Sequence, residues 1–498
     1  RGLRRRFRPG RDGYSRSGAG LGVVAATSGG GALNTVPGLG ESLASRVPVL
    51  ALIGQAPTAL DGHGSFQDTS GVNGALDAQA LFSAVSLYCR RVVDPHDIVT
   101  ALPEALAAAA NGGPAVLLLP KDVQQSPLGP QRYIDGSPCS CEVSDIEPVV
   151  EALRAADGPV MIIAGEQVAR DDARAELELL RRTLGAHLVT VPDAKDVAPG
   201  VGTTGVMGHP GVGRAVAESG ACLLVGTRLT VTARAGLEAA LTAVPTLSIG
   251  SAAPYLPATH CHADDLRAAL AQLTAGVAPP RDQPDRLPHS ELQPPRYRGA
   301  GVRYREAMHA VDAALPAGAD IVVDAGNIGA SAIHHLAARP DGRFLVALGM
   351  GGMGYSFGAG IGTAFHRGRR TVVIAGDGAF YMHGMEIHTA LQYRLPVTFL
   401  LFDNHAHAMC VTREQLFYGD RYSYNRFGPS RLGAGLAAMF PRLPCFDVTD
   451  ADRLPGALRA ALDCDGPSVV GIECSPDEIP PFAAFLTEKE SPHVPARA

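Results

Sequence analysis

Thr371-Val372-Val373-Ile374-Ala375 runs straight into Gly376-Asp377-Gly378, and a second apolar run, Pro396 to Phe402, ends in Asp403-Asn404. Both runs are continuous and rich in Val, Leu, Ile and Phe. That is the pattern of strands buried on both faces of a parallel sheet. Met385 to Leu391 between them has helical spacing, so the unit is strand, helix, strand. Asp377 and Asn404 then stand at the carboxyl ends of two neighbouring strands, where open α/β sheets bind their ligands. A carboxylate and an amide oxygen, with a nearby backbone carbonyl, suit Mg²⁺, which takes oxygen ligands and completes its shell with phosphate and water. Gly378, Ala379 and Phe380 offer backbone N–H groups to a phosphate at the start of a helix.

The chain has 498 residues, enough for two or three domains, and the same pattern recurs along it. Val23 to Thr27, Val47 to Ile53 and Pro114 to Leu119 read as strands, with helices over Ile98 to Asn111 and after the glycine turn Ser28 to Asn34. A Pro/Gly/Ser-rich stretch from 125 to 146 precedes a second α/β unit. There Pro159 to Ala164, His187 to Val191 and Ala221 to Val225 are strands, and Glu147 to Ala156 and Asp171 to Leu184 are helices. A linker from Pro279 to Pro295 leads to a third unit with strands at Ile321, Phe344, Thr371, Pro396 and Pro467. The expected fold is α/β, with three domains that are each an open, mostly parallel sheet flanked by helices. The expected divisions are 1–124, 125–280 and 281–498.

Composition narrows the classes. A formal net charge of −6, with no zinc-finger spacing and no aromatic–basic interleaving, gives no footprint for nucleic acid. No run of 18 uninterrupted apolar residues and no signal peptide are present, so the expectation is a cytoplasmic protein without a membrane partner. The nine cysteines are scattered, and Cys139 and Cys141 lack a second pair for a zinc site.

The Gly376-Asp377-Gly378 to Asn404 element resembles the signature of thiamine diphosphate-dependent enzymes, which begins Gly-Asp-Gly and ends in paired amides at similar spacing. Asp403 replaces the first amide. By that resemblance Asp377, Asn404 and the carbonyl of Ala406 bind Mg²⁺, and Gly376 to Phe380 cradle the diphosphate. Asn327, after Asp324-Ala325-Gly326, points at the diphosphate. Gly349-Met350-Gly351-Gly352-Met353-Gly354-Tyr355 resembles the family's Gly-x-Met-Gly-Tyr. There Gly351 holds the pyrimidine amino group through its carbonyl, and Met353 wedges the cofactor into its bent form.

Within that superfamily the chain is most similar to the acetolactate synthase group. Gly13-Tyr14-Ser15-Arg16, Thr27 to Asn34, Ile53-Gly54-Gln55 and Pro120 to Gln124 match its motifs in order. Phe66 and Gln67 occupy the positions of residues lining the active-site entrance. The resemblance implies decarboxylation of a pyruvate-like 2-keto acid and ligation to a second keto acid, in a homodimer or homotetramer whose neighbouring subunit completes each site. A 2-keto acid decarboxylase, or a carboligase for another keto acid, is the alternative.

Several departures bear on this. Arg413 stands where the group has a pocket-shaping Trp, and the chain contains no Trp. An arginine there would pair with an acceptor carboxylate. His405 and His407 are candidate proton shuttles in the same loop. Leu87 replaces a lysine. The central domain of the group holds FAD, and Gly226 to Gly236 keeps the first Arg and the closing Gly of the flavin run but loses both aspartates, which leaves FAD open. The catalytic glutamate of the family falls near Arg4, and no glutamate precedes Glu41. The expectation is a truncated or frame-shifted start, with a natural non-catalytic relative as the alternative.

Overall fold

The computed structural model describes residues 10–129, 142–277, 282, 284, 287, 290–421 and 424–486. Cys139, Cys141 and the position near Arg4 lie outside them. Among the described residues fifteen strands form three sheets in which every strand pairing is parallel.

The first sheet contains β1 (Gly22–Ala26), β2 (Val49–Gln55), β3 (Tyr88–Arg91) and β4 (Pro114–Pro120), in the order β1-β2-β4-β3. The second contains β5 (Val160–Ala164), β6 (His187–Thr190), β7 (Ala221–Val225), β8 (Thr246–Gly250) and β9 (Thr259–His262), in the order β6-β5-β7-β8-β9. The third contains β10 (Asp320–Val323), β11 (Phe344–Val346), β12 (Thr371–Gly376), β13 (Val397–Asp403), β14 (Cys445–Val448) and β15 (Ser468–Glu473), in the order β11-β10-β12-β13-β15-β14. Crossover helices cover the sheets, as parallel strands require. In the third sheet, Val372 and Ile374 face one apolar core and Val373 and Ala375 face another, so both faces are buried. Among the described residues no helix is long and apolar enough to cross a membrane.

Two features set the geometry of the third sheet's carboxyl edge. The first is a buried polar clamp from the amino-terminal part of the chain. Helix Gly10–Tyr14 lies against helix Tyr355–Arg367 so closely that a Cβ on Gly13 would meet the Ala359 carbonyl oxygen at 2.3 Å. Asp12 accepts from Arg16 Nε (2.7 Å), Ser42 Oγ (2.8 Å) and the Tyr355 hydroxyl. Arg16 also donates to Glu41 (3.1 Å), whose carboxylate accepts the backbone N–H groups of Gly349 (3.2 Å) and Met350 (2.7 Å). The first glutamate of the chain is therefore a buried tether for the loop that carries Met353.

The second feature is Asp324, at the end of β10. It is 1% exposed and accepts three backbone N–H groups, from Ala325, Gly354 and Ser356, each at 2.9 Å. It pins the Met353 loop from the other side and seeds helix Tyr355–Arg367.

Candidate active site

β12 and β13 are adjacent and in register, Gly376 opposite Phe402, so their carboxyl ends deliver Asp377 and Asn404 side by side. Asp377 opens the helix Asp377–His383 directly after the strand. The expected helix from Met385 is thus reached through two earlier turns, because Gly376 leaves the strand in extended geometry and the helix begins at once. Asp377 and Asn404 are 1% and 5% exposed. Asp377 Oδ2 and Asn404 Oδ1 both accept the Ala406 N–H, at 3.1 Å each, so two side-chain oxygens from different strands converge on one point. Ala406 meets them through its N–H group.

The electrostatics there are unbalanced. Burial pushes the Asp377 carboxyl up to about 7, reinforced by the neighbouring Asp403 charge and opposed by the N–H groups of Gly378 and Ala406. Asp377, Asp403 and His405 place ligand atoms within 4.8 Å of one another. Asp403 is held by Ser430 Oγ (2.8 Å) and lies 3.0 Å from His405 Nδ1. His405 Nε2 pairs with Glu473 at 2.9 Å. Burial lowers the His405 pKa, but Glu473, Asp403 and Asp377 outweigh it and the net shift is upward. Two buried carboxylates and one partly exposed imidazole leave a deficit of positive charge, which a divalent cation would offset.

The glycines beside this point leave room and little more. A Cβ on Gly378 would stand 2.8 Å from His407 Nδ1 and 2.9 Å from Met353 Cε, so Met353 overhangs the helix start. Gly351, at φ +63°, has open space around it, and Gly351 and Gly352 are exposed. Ala379 is buried and Phe380 packs at the edge of the same core. Asn327 begins helix Asn327–His335, is 2% exposed, and donates to Thr412 Oγ1 (3.2 Å). Its Oδ1 is buried with no hydrogen-bond partner among the described residues. The His407 ring lies edge-on to Phe427 at 4.7 Å between centroids, and Asn425 and Phe427 bond the His407 and His405 backbones.

Phe66 and Gln67 meet a different part of the predicted set. Gln67, at φ +60°, packs on Gly29 and accepts from Ser28 Oγ (2.9 Å), joining the two amino-terminal motifs. Phe66 is 86% exposed. No hydrogen bond or ring contact among the described residues links either to the Asp377 cluster. Arg413 lies on helix Ala408–Phe417 and is exposed, while its neighbours Thr412 and Glu414 are buried.

Three supporting residues carried no local signal. Tyr304 is buried, accepts from Asn404 Nδ2 (3.3 Å) and donates to the Ser475 carbonyl (3.1 Å). Glu478 caps the helix Tyr304–Ala314 by accepting the Tyr304 N–H at 3.0 Å. Glu473 holds His405. Burial raises the Glu478 carboxyl to about 7 despite the Tyr304 N–H and Arg303. Because the folded value lies above the unfolded one, its contribution is fully present below about pH 4 and is lost as the pH rises through about 7. Glu478→Gln keeps an acceptor for Tyr304 and removes that loss. It is expected to raise stability at pH 8 by about 2 kcal/mol and to flatten the profile between pH 5 and 8. Urea melts across that range test it, and an unchanged pH slope refutes it.

Sequence models of the thiamine pyrophosphate enzymes match three stretches. These are the N-terminal TPP binding domain at residues 12–75, the central domain at 146–250, and the C-terminal TPP binding domain at 324–472. The chain belongs to the thiamine pyrophosphate enzyme family. It is 26% identical to a probable acetolactate synthase large subunit of Methanocaldococcus jannaschii over 516 aligned residues, covering 95% of this chain and 84% of that one. It is 27% identical to the acetolactate synthase isozyme 2 large subunit of Escherichia coli K12, covering 92% and 85%. Acetolactate synthase 1 of Nicotiana tabacum is 26% identical, with 93% and 73% covered. A solved structure from Mycobacterium smegmatis, described as a thiamin diphosphate-dependent enzyme, superposes with a TM-score of 0.76 at 21% identity, covering 94% of this chain and 90% of that one. As a thiamine pyrophosphate enzyme, the chain carries the Asp377–Asn404 pair inside the matched C-terminal TPP binding domain, and Gln67 inside the matched N-terminal one.

A cavity between the three sheets is lined by Arg46, Arg170, Gly226, Arg228 and Tyr255, beside the altered flavin run. Arg228 stacks on Tyr255 there at 3.9 Å.

Proposed function

We propose that this chain decarboxylates a small 2-keto acid and ligates the remainder to a second keto acid, with thiamine diphosphate and Mg²⁺. The observation that carries the reading is the convergence of Asp377 Oδ2 and Asn404 Oδ1 on one point at the start of a helix, beside an uncompensated buried carboxylate. Asp377, Asn404 and the Ala406 carbonyl would hold the cation, the two side chains giving up the Ala406 N–H they accept here, and Gly378 to Phe380 would hold the diphosphate. When bound, thiamine diphosphate supplies the electron sink that loss of CO₂ from a 2-keto acid requires.

The chain's own residues do the rest. Met353, on a loop tethered by Glu41 and Asp324 on either side, limits the space beside Gly378. His405, held by Glu473 and Asp403, keeps a proton at its Nε2 or Nδ1 near the cation site. The Phe66–Gln67 loop, exposed on its own chain, would complete the site of a second copy, so a homodimer or a pair of dimers follows from this reading.

The test is turnover of pyruvate by this chain with thiamine diphosphate and Mg²⁺, with both CO₂ and the organic product measured. Acetolactate supports the carboligase. Acetaldehyde alone makes it a decarboxylase, and no turnover of any short 2-keto acid overturns the reading. In the active form, Arg413→Trp is expected to raise the preference for 2-ketobutyrate over pyruvate as acceptor by about tenfold, the scale of one large apolar contact. Competition between the two acceptors measures it. Unchanged product ratios place Arg413 outside the acceptor pocket, in keeping with its exposure.

A further inference from the structure

Well apart in sequence from the Asp377 cluster, Glu291, His309 and His335 bring a carboxylate oxygen and two imidazole nitrogens within 4.8 Å of one another. They come from three places. Glu291 lies in the segment joining the second sheet to the third, His309 on the exposed face of helix Tyr304–Ala314, and His335 at the end of helix Asn327–His335. The His335 side chain is only 3% exposed, and its Nδ1 lies 3.8 Å from Glu291 Oε1. That nitrogen has no hydrogen-bond partner among the described residues. A buried nitrogen left this way is unfavourable unless something else engages it.

An ion pair with Glu291 does not meet the need. At 3.8 Å the Glu291 oxygen is too far from Nδ1 for a hydrogen bond, so the nitrogen faces the cluster without a partner among the described residues. Arg305 holds the other oxygen of Glu291 at 2.7 Å, leaving Oε1 on the His335 side. A carboxylate oriented by a second residue is the usual support for a metal ligand.

We propose that Glu291, His309 and His335 form a site for one divalent transition-metal ion of the zinc class, distinct from the Mg²⁺ position. Two nitrogens and one oxygen match the three-ligand sets of zinc, whereas Mg²⁺ takes oxygen throughout. Ligands at zinc distances in a tetrahedron stand about 3.4 Å apart. The 4.8 Å spread closes by rotation of His309 and Glu291, both of which reach solvent. The fourth position faces water on the His309 side. Glu291 and Arg305 cancel in charge, so affinity rests on ligand donation. The ion would fasten the inter-domain segment to helix Asn327–His335, whose first residue stands at the cofactor site.

The experiment uses the untagged full chain, stripped with a chelator and returned to saturating Mg²⁺ and thiamine diphosphate. Zn²⁺ is titrated by calorimetry and Co²⁺ by visible absorption. The parent is expected to take up one Zn²⁺ and to give tetrahedral Co²⁺ bands. His309→Ala and Glu291→Gln are each expected to weaken Zn²⁺ binding by about tenfold or more, since loss even of a supporting residue costs that much. Both positions reach solvent, so the fold should persist, and circular dichroism checks it. The cysteines are untouched in these variants and serve as the internal background. Zinc uptake unchanged in the double variant, or no stoichiometric uptake by the parent, overturns the proposal.

Discussion

Asp377→Ala will abolish Mg²⁺-dependent retention of thiamine diphosphate while leaving the fold intact. In the parent, cofactor and Mg²⁺ at about 100 times their dissociation constant add about 2.7 kcal/mol to stability. In the variant that increment is expected to vanish. The reasoning rests on charge. Asp377 and Asp403 are 1% and 4% exposed, and their nearest basic group, His405, is shared between Asp403 and Glu473. The site therefore carries a penalty in the cofactor-free protein that a cation removes. Asp377→Asn separates the two parts of this argument. It keeps the shape and an oxygen for the Ala406 N–H but removes the charge, so the cofactor-free variant should be more stable than the parent by about 1 kcal/mol, as for replacement of an uncompensated buried charge. Thermal melts with and without Mg²⁺ and cofactor read both effects. If Asp377→Ala still gains stability from Mg²⁺ with thiamine diphosphate, the cation is not held here.

The main frame of this site was legible in sequence because it depends on neighbours in the chain. Continuous β-branched runs marked β12 and β13, and the strand, helix, strand order made them adjacent, so Asp377 and Asn404 had to meet. The second sheet was read less completely. Its strand β9 is Thr-His-Cys-His, an edge strand without an apolar run, and no periodicity betrays it. β14 is likewise a short edge strand, Cys-Phe-Asp-Val, with Asp447 exposed. The expected helix Asp171 to Leu184 begins only at Arg174, and a separate, unexpected helix Glu166–Arg170 precedes it, because Asp172 adopts φ +54° between them.

The supporting groups were hidden for a different reason. Glu478 finds the Tyr304 N–H across 174 residues, and Glu473 finds His405 across 68. Such pairs exist only once the third sheet brings its edges together, and no local pattern announces them. Glu41 shows the same limit from the other side. In sequence it is only the first glutamate of the chain, while in the fold both its oxygens accept, from Arg16, Ser45, Gly349 and Met350.

Asp324→Ala is expected to destabilise the third domain by about 3–6 kcal/mol, with the opposite signature to Asp377. Both aspartates end a strand of the same sheet, and both are 1% exposed. Asp324, however, has no acidic neighbour among its hydrogen-bond partners. Its oxygens take three N–H groups, and removing them leaves Gly354 and Ser356 unsatisfied in the interior, at about 1–3 kcal/mol each, and half-buried Ala325 without its acceptor. Burial raises its pKa while Ser356, Gly354 and Ala325 oppose the rise, and no neighbouring carboxylate adds to it as Asp403 does at Asp377. Asp324→Asn should cost less, since Oδ1 can still serve Ala325 and Gly354 while the amide NH₂ faces the Ser356 N–H. The Met353 loop hangs on this residue, so kcat/KM should fall in both variants even where folding is complete. Mg²⁺-linked stabilisation should survive in Asp324→Asn. One aspartate thus holds the Met353 loop and the other leaves a charge for a cation to offset. A pair of variants in which Asp324→Ala loses the Mg²⁺ response and Asp377→Ala loses the fold would reverse these roles and refute the division.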